Sequence, residues 1–197
     1  MLDREFLESE FSKGMAYSHY VGLGTERQRE AWGRAHERVK LTSRQEDLLS
    51  SFTREMKVLV TSGLWCGDCS AQCPMLAKIG EASGPSHSGK GRMVEVRFVD
   101  RDAHRELADL VKINDGHRVP TAIFMAEDFH FVSLVGDRVL ARYRAVAAKQ
   151  LGSACPLPGA EEPEEEVAAT VAGWVEEFER VHLLLRLSAR LRERHGD

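Results

Sequence analysis

Residues 59–74 read LVTSGLWCGDCSAQCP. The stretch opens on the apolar end of an expected strand and closes in an expected helix, with Trp65-Cys66-Gly67-Asp68-Cys69 at the join. Two residues between the cysteines let both thiols share one helical turn, near enough to bridge with little strain. The first falls at the helix N-terminus, where unpaired N–H groups and the macrodipole stabilise a thiolate. The thiolate is the nucleophile of disulfide exchange, so this placement would activate Cys66 and leave Cys69, one turn deeper, to resolve. A structural thiol pair or half of a zinc site fits the same spacing.

Trp65-Cys66-Gly67-Asp68-Cys69 resembles the active site of the thioredoxin superfamily, with Asp68 where thioredoxins usually carry proline. Pro74, five residues beyond Cys69, is similar to their helix-kinking proline. Arg118-Val119-Pro120-Thr121 resembles the cis-proline turn that faces the active site. The three features span roughly residues 55–145. The resemblance implies an α/β thioredoxin-like fold, a central mixed β-sheet flanked by helices. It implies a redox-active Cys66–Cys69 disulfide that works without a bound cofactor or metal. It also implies that backbone at Val119 and Pro120 pairs with substrate beside the sulfurs, with Trp65, Gly67 and Asp68 on the rim. One departure is sharp: thioredoxins carry a buried acid six residues before the first cysteine, and Val60 stands there. Asp68 is another, since a carboxylate beside the helix start opposes a thiolate and favours a reductant over an oxidant.

The 197-residue chain is 43% hydrophobic and 29% charged, enough to bury one sizeable core. A formal net charge of −4 gives no electrostatic case for nucleic acid or an anionic membrane. The first residues, MLDREFLESE, carry no apolar signal-peptide core, and no stretch approaches about 20 apolar residues. Three of the four cysteines fall between positions 66 and 73, unlike a secreted disulfide framework. These features predict a cytoplasmic protein, where a C-x-x-C is catalytic or metal-binding rather than structural.

Residues 1–54 read as a helical extension packed on the core. Leu2, Phe6, Leu7 and Phe11 share one helical face, which Gly14 and residues 17–24 should interrupt. Thr25-Glu26-Arg27-Gln28 is a capping box before Ala31, Trp32, Ala35 and Val39, and Ser43-Arg44-Gln45-Glu46 repeats it. Tyr17, His19, Tyr20 and Trp32 are expected to pack rather than to line a pocket.

The thioredoxin-like core should occupy residues 55–151. Residues 57–61 suit a buried central strand, 67–80 a helix, and 93–100 a second, parallel strand. Between them GPSHSGKG (84–91) is one residue short of a phosphate-binding loop, but it follows a helix and precedes a strand, the wrong order. Asp100 or Asp102 should cap a helix carrying Leu107, Leu110, Val111 and Ile113. Residues 121–126 and 131–134 form an antiparallel pair, and 141–151 a helix.

Residues 152–197 read as a Pro/Gly-rich linker (152–163) and one amphipathic helix from about 164 to 194. Val167, Val171, Trp174, Val175, Phe178, Val181 and Leu185 make its stripe, and Leu183, Leu184 and Leu187 widen it. At roughly 45 Å it outreaches the core, leaving part for the N-terminal helices or a homodimer partner.

Cys73 extends the pattern to C-x-x-C-x-x-x-C. Such a cysteine is most often a buried small hydrophobe. The alternatives are an auxiliary resolving thiol or a metal ligand completed by His87, His104 or His117, none at diagnostic spacing. Cys155 lies in the linker as a bystander. The expected function is thiol–disulfide oxidoreduction on protein or small-molecule disulfides, with a separate reductase recycling the protein. The other reading is a thioredoxin-fold binding or assembly module whose C-x-x-C is idle.

Overall fold

Val58 and Val60 lie on one face of a strand and Leu59 on the other, and all three are fully buried. A strand covered on both faces shows no alternation of polarity, which is why 57–61 reads as an apolar run. The computed structural model describes residues 2–87, 89, 91–151 and 165–197. The elements are α1 (Arg4–Lys13), α2 (Tyr17–Gly22), α3 (Glu26–Arg38), α4 (Ser43–Ser50), β1 (Met56–Ser62) and α5 (Gly67–Ala82). They continue with β2 (Val94–Asp100), α6 (Arg105–Leu110), β3 (Thr121–Ala126), β4 (Phe131–Gly136), α7 (Leu140–Leu151), α8 (Glu166–Leu187) and α9 (Ala189–His195).

The four strands form one mixed sheet in the order β2-β1-β3-β4. β1 runs parallel to β2 and antiparallel to β3, with Val60 opposite both Phe98 and Ala122. Period-2 alternation divides β3 between two cores: Ala122, Phe124 and Ala126 face α5 and α8, while Ile123 and Met125 face α1 and α6. Gly80 permits α5 to lie close on the sheet, since a Cβ there would come within 2.9 Å of Val96. No helix among the described residues is long and apolar enough to cross a membrane.

The N-terminal helices share these cores. Leu7 and Phe11 of α1 join one; Tyr20, Trp32, Val39 and Leu49 join the other. Between α1 and α2, Met15 pairs with Phe98 through two backbone hydrogen bonds of 2.9 and 2.8 Å, which covers the open edge of β2. The stretch expected to break the helical pattern instead contains α2. Tyr17 and Tyr20, three apart, both turn onto Phe98 and Trp32, and this packing supports a six-residue helix too short to show a period. His19 does not join the aromatic group and is exposed. The Thr25 capping box forms as read, but the second one starts at Thr42, not Ser43, with Gln45 accepting from the Thr42 N–H at 2.9 Å.

Two further expectations are corrected. α6 ends at Leu110, and no side chain caps it; Asp100 accepts from the N–H groups of Asp102 and Ala103 and shapes the turn before it. Asn114 and Asp115, at φ of 49° and 57°, then carry the chain past Ile113. The C-terminal helix is not continuous. Ser188 is extended (φ −68°, ψ 114°), and α9 starts anew after it. The turn lets Leu191 bury and brings Arg194 to Glu127 and Asp128 at 2.9 Å, with Arg190 on Asp128 and His195 on Glu127. The stripe itself holds: Val171, Trp174, Val175, Phe178, Val181 and Leu185 are buried, and Val167 packs at its margin. Leu183, Leu184 and Leu187 remain exposed. The expected linker at 152–163, with Cys155, lies outside the described residues.

Candidate thiol site

A tight turn from Gly63 carries the chain out of β1, the Cys66 N–H bonding the Gly63 carbonyl at 3.0 Å. A Cβ at Gly63 would sit 2.7 Å from the Trp65 indole, so a side chain there would push the indole from its place. Cys66 is the N-cap of α5 with extended backbone, and its sulfur accepts the Cys69 N–H at 3.5 Å. A thiol thus takes the position that Ser, Thr or Asp usually holds, facing the unpaired donors of the first turn. Cys66 is half-buried, while Cys69 and Cys73 are fully buried. All three are free thiols.

The sheet supplies the opposite wall. The Cys66 thiol donates to the Val119 carbonyl at 3.7 Å, and the Val119–Pro120 peptide is cis. Thr121 fixes this turn by donating its hydroxyl to the Arg118 carbonyl at 2.8 Å. Trp65 is largely exposed, its indole covered on one side by the Arg101 guanidinium 4.7 Å from the ring centre. Pro74 lies inside α5 and lacks the N–H that would bond the Ser70 carbonyl.

Both thiols of the pair are held above the ordinary thiol range. For Cys66 the causes are its hydrogen bond with Cys69, burial and the Cys69 charge, against which the N–H groups of Cys69 and Asp68 pull downward. For Cys69 burial comes first. Two sulfurs this close do not ionise together. The backbone donors sit on Cys66 and the deeper burial on Cys69.

Asp68 does not act as its position suggests. Its carboxylate turns away from the sulfurs to Arg138 and to Arg142, 3.0 Å off. Two guanidiniums offset its charge, and its backbone N–H pulls the Cys66 pKa downward. Arg142 in turn pairs with Glu166, which Lys149 holds at 2.6 Å. This chain of charges ties the start of α5 to α7 and α8.

Val60 is buried, and no acid stands at that point under the thiols. Buried polar groups on the same elements are Ser62, whose hydroxyl lies 3.5 Å from the Cys73 sulfur, and Gln72 of α5. Gln72 donates to the Asp137 carbonyl at 2.7 Å and accepts from the Trp174 indole N–H at 3.1 Å. The histidines weighed as ligands for Cys73 are engaged elsewhere: His104 with Glu10, His117 with Asp109, His87 with the Thr53 carbonyl.

Several neighbours escape the sequence pattern. Trp32 of α3 donates its indole N–H to the Leu64 carbonyl at 3.3 Å, so an N-terminal helix braces the loop that carries the thiol. A pocket of about 360 Å³ opens there, with Arg27, Gln28, Trp32, Trp65, Cys66 and Ser70 among its walls. Trp32 therefore both packs in the core and lines a pocket. No local signal ties residues 27–32, Arg101, Arg138 or Arg142 to the thiols.

The family model described as Thioredoxin matches residues 14–141, taking in α2–α4 as well as the sheet. No curated protein matches the chain. Among solved structures, an HIV epitope scaffold aligns at a TM-score of 0.61 and 18% identity, covering 87% of this chain and 97% of that one. A protein of unknown function from Pseudomonas aeruginosa aligns at 0.59 and 20% identity, covering 86% and 96%. At those identities the two structures speak for the fold.

Proposed function

We propose that this chain, which belongs to the thioredoxin family, is a thiol–disulfide oxidoreductase that reduces disulfides through Cys66 and Cys69. The observation that carries the reading is the Cys66 sulfur at the N-cap of α5, taking the Cys69 N–H at 3.5 Å, with Cys69 buried one turn below. Cys66 attacks a substrate sulfur, the substrate S–S bond breaks, and one half leaves as a thiol after taking a proton. Cys69 gives up its proton and attacks the Cys66 sulfur, and the second half leaves. The protein ends as the Cys66–Cys69 disulfide, two electrons having passed to substrate.

Trp65, Gly67, Asp68, Val119 and Pro120 form the rim on which substrate rests. Thiols held above their ordinary range support a reductant, since a poorly stabilised thiolate makes the reduced form less stable. A dithiol reductase of the cytoplasm would return the protein to its working state, with no bound cofactor needed.

Insulin turbidity with dithiothreitol as electron source tests the reading, together with the potential of the Cys66–Cys69 couple against glutathione buffers. Faster insulin precipitation and a potential nearer thioredoxin's than DsbA's are expected. A protein that reduces nothing would be the binding module that the fold also allows.

A further inference from the structure

The pocket beside Cys66 has a neighbour along α3. Ser70 also lines a second pocket of about 220 Å³, which lies between α3 and α5 with Arg38, Met75, Arg142 and Glu166 among its walls. The groove has α3 as one side and the first turns of α5 as the other. Ala31, Ala35, Gly67, Ser70 and Ala71 keep it open by their small size.

Its charge is one-sided. Glu166, its acidic wall residue, is satisfied by Arg142 and Lys149. Arg27 and Arg38 line the two pockets and form no ion pair or hydrogen bond among the described residues. The two arginines are eleven positions apart on α3, roughly 16 Å along its axis. A guanidinium with no protein partner at each end of a cleft suits carboxylates on an extended molecule. A groove walled on both sides suits a small ligand better than a protein surface.

We propose that the α3–α5 groove binds low-molecular-weight disulfides bearing carboxylates, presenting a sulfur to Cys66 and the carboxylates to Arg27 and Arg38. The proposal rests on the thiol–disulfide reading and names its substrate class. The Cys66 thiolate bonds to the near sulfur as the ligand S–S bond breaks, and the first half leaves and takes the proton that Cys66 gave up. Cys69 then closes the protein disulfide and releases the second half with its own proton. One disulfide becomes two thiols, and the protein dithiol supplies both electrons.

The test is single-turnover oxidation of the fully reduced full-length protein by oxidised glutathione, which is anionic, by cystamine, which is cationic, and by insulin. Each rate is divided by that of free dithiothreitol with the same disulfide, to remove intrinsic reactivity. Oxidised glutathione should be preferred over cystamine by about tenfold at low salt, less at high salt. Arg27→Ala and Arg38→Ala, both exposed, should each cut the glutathione rate several-fold and leave cystamine and insulin within about twofold. Equal normalised rates for the two small disulfides, or arginine variants that react like wild type, would overturn the proposal while insulin reduction preserved the thiol reading. If none of the three disulfides reacts, the thiol reading falls and this proposal with it.

Discussion

Asp68 gives one carboxylate oxygen to Arg142, whose Nε and Nη2 lie 3.1 and 3.0 Å away, and the other to Arg138. The residue between the two thiols is thus bound to α7 instead of facing the sulfurs. Replacing it by Asn keeps the shape and removes the negative charge. Arg138 and Arg142 would then stand near the start of α5 with less to offset them. Asp68→Asn should lower the apparent pKa of Cys66 and make the protein less reducing. Thiolate absorbance followed against pH, and the redox potential, would check this. Arg142→Gln removes one of those positive charges. Here the double variant should move back toward wild type.

Gln72 gives a stability prediction one turn further in. It is fully buried, and both ends of its amide are used, by the Asp137 carbonyl and the Trp174 indole. Gln72→Leu fills the space but leaves a buried acceptor and a buried donor unpaired, a loss of about 2–4 kcal/mol. Adding Trp174→Phe removes the orphaned indole N–H and should cost less than the sum of the two single changes. Urea unfolding of the four proteins reads both quantities.

His182 predicts how stability depends on pH. Its Nε2 accepts the Thr53 N–H at 2.9 Å, and its ring stacks on Phe52 with centres 4.2 Å apart. Burial first, then the charges of Arg186 and Arg54, push its pKa down to about 4. The unfolded chain therefore binds the proton more readily, near its ordinary value of about 6.5. Stability should be full above pH 6.5 and fall as the pH drops from there to 4. The fall is at most about 3 kcal/mol, and less because the ring is only partly buried. Carboxylates held low by partners, such as Glu127 and Asp128, add their losses only below their own ordinary range. His182→Gln should flatten the slope between pH 6.5 and 4 in urea titrations and leave the acid limb in place.

These two sites were invisible in the sequence for the same reason. Gln72 reads as a polar residue in an apolar helix, and His182 as a polar position beside the apolar stripe of the C-terminal helix. Their partners lie 102 and 129 residues away, at Trp174 and Thr53. The sheet was legible because strands buried on both faces must be apolar, and α5 because its cysteines and Pro74 sit at fixed offsets. Spacing also placed most helices by their faces, but it put the second capping box one residue late, gave α6 a side-chain cap and residues that it lacks, and passed over α2, where an aromatic cluster makes six residues helical. It missed the break at Ser188, after which Leu191 is buried and Arg190, Arg194 and His195 meet the Glu127-Asp128 turn, because those contacts leave no period. Asp68 shows the limit most directly: its neighbours in sequence are the thiols, but its partners are arginines 70 and 74 positions on.

The last prediction concerns which thiols can meet. Cys66 and Cys69 share a turn, and Cys69 and Cys73 are one turn apart along α5. Cys66 and Cys73 are seven residues apart, about 10 Å of rise, beyond the 7 Å between Cα atoms that a disulfide tolerates. Cys73 can therefore reach Cys69 but not Cys66. If Cys66 attacks substrate, Cys66→Ser should abolish reduction outright, since a serine hydroxyl is not appreciably ionised near neutral pH. Cys69→Ser should leave the attack intact and remove its resolver, so mixed disulfides accumulate and dithiothreitol releases them. Cys73, held beside the Ser62 hydroxyl at 3.5 Å, should not rescue turnover in that variant. Adding Cys73→Ser to Cys69→Ser should leave the yield of adducts unchanged within error. Non-reducing gels and mass spectrometry of the trapped bonds would read each case. Residual turnover in Cys69→Ser that disappears with Cys73→Ser would mean that α5 opens enough to bring the far thiols together. Adducts on Cys69 in the Cys66→Ser protein would reverse the two roles.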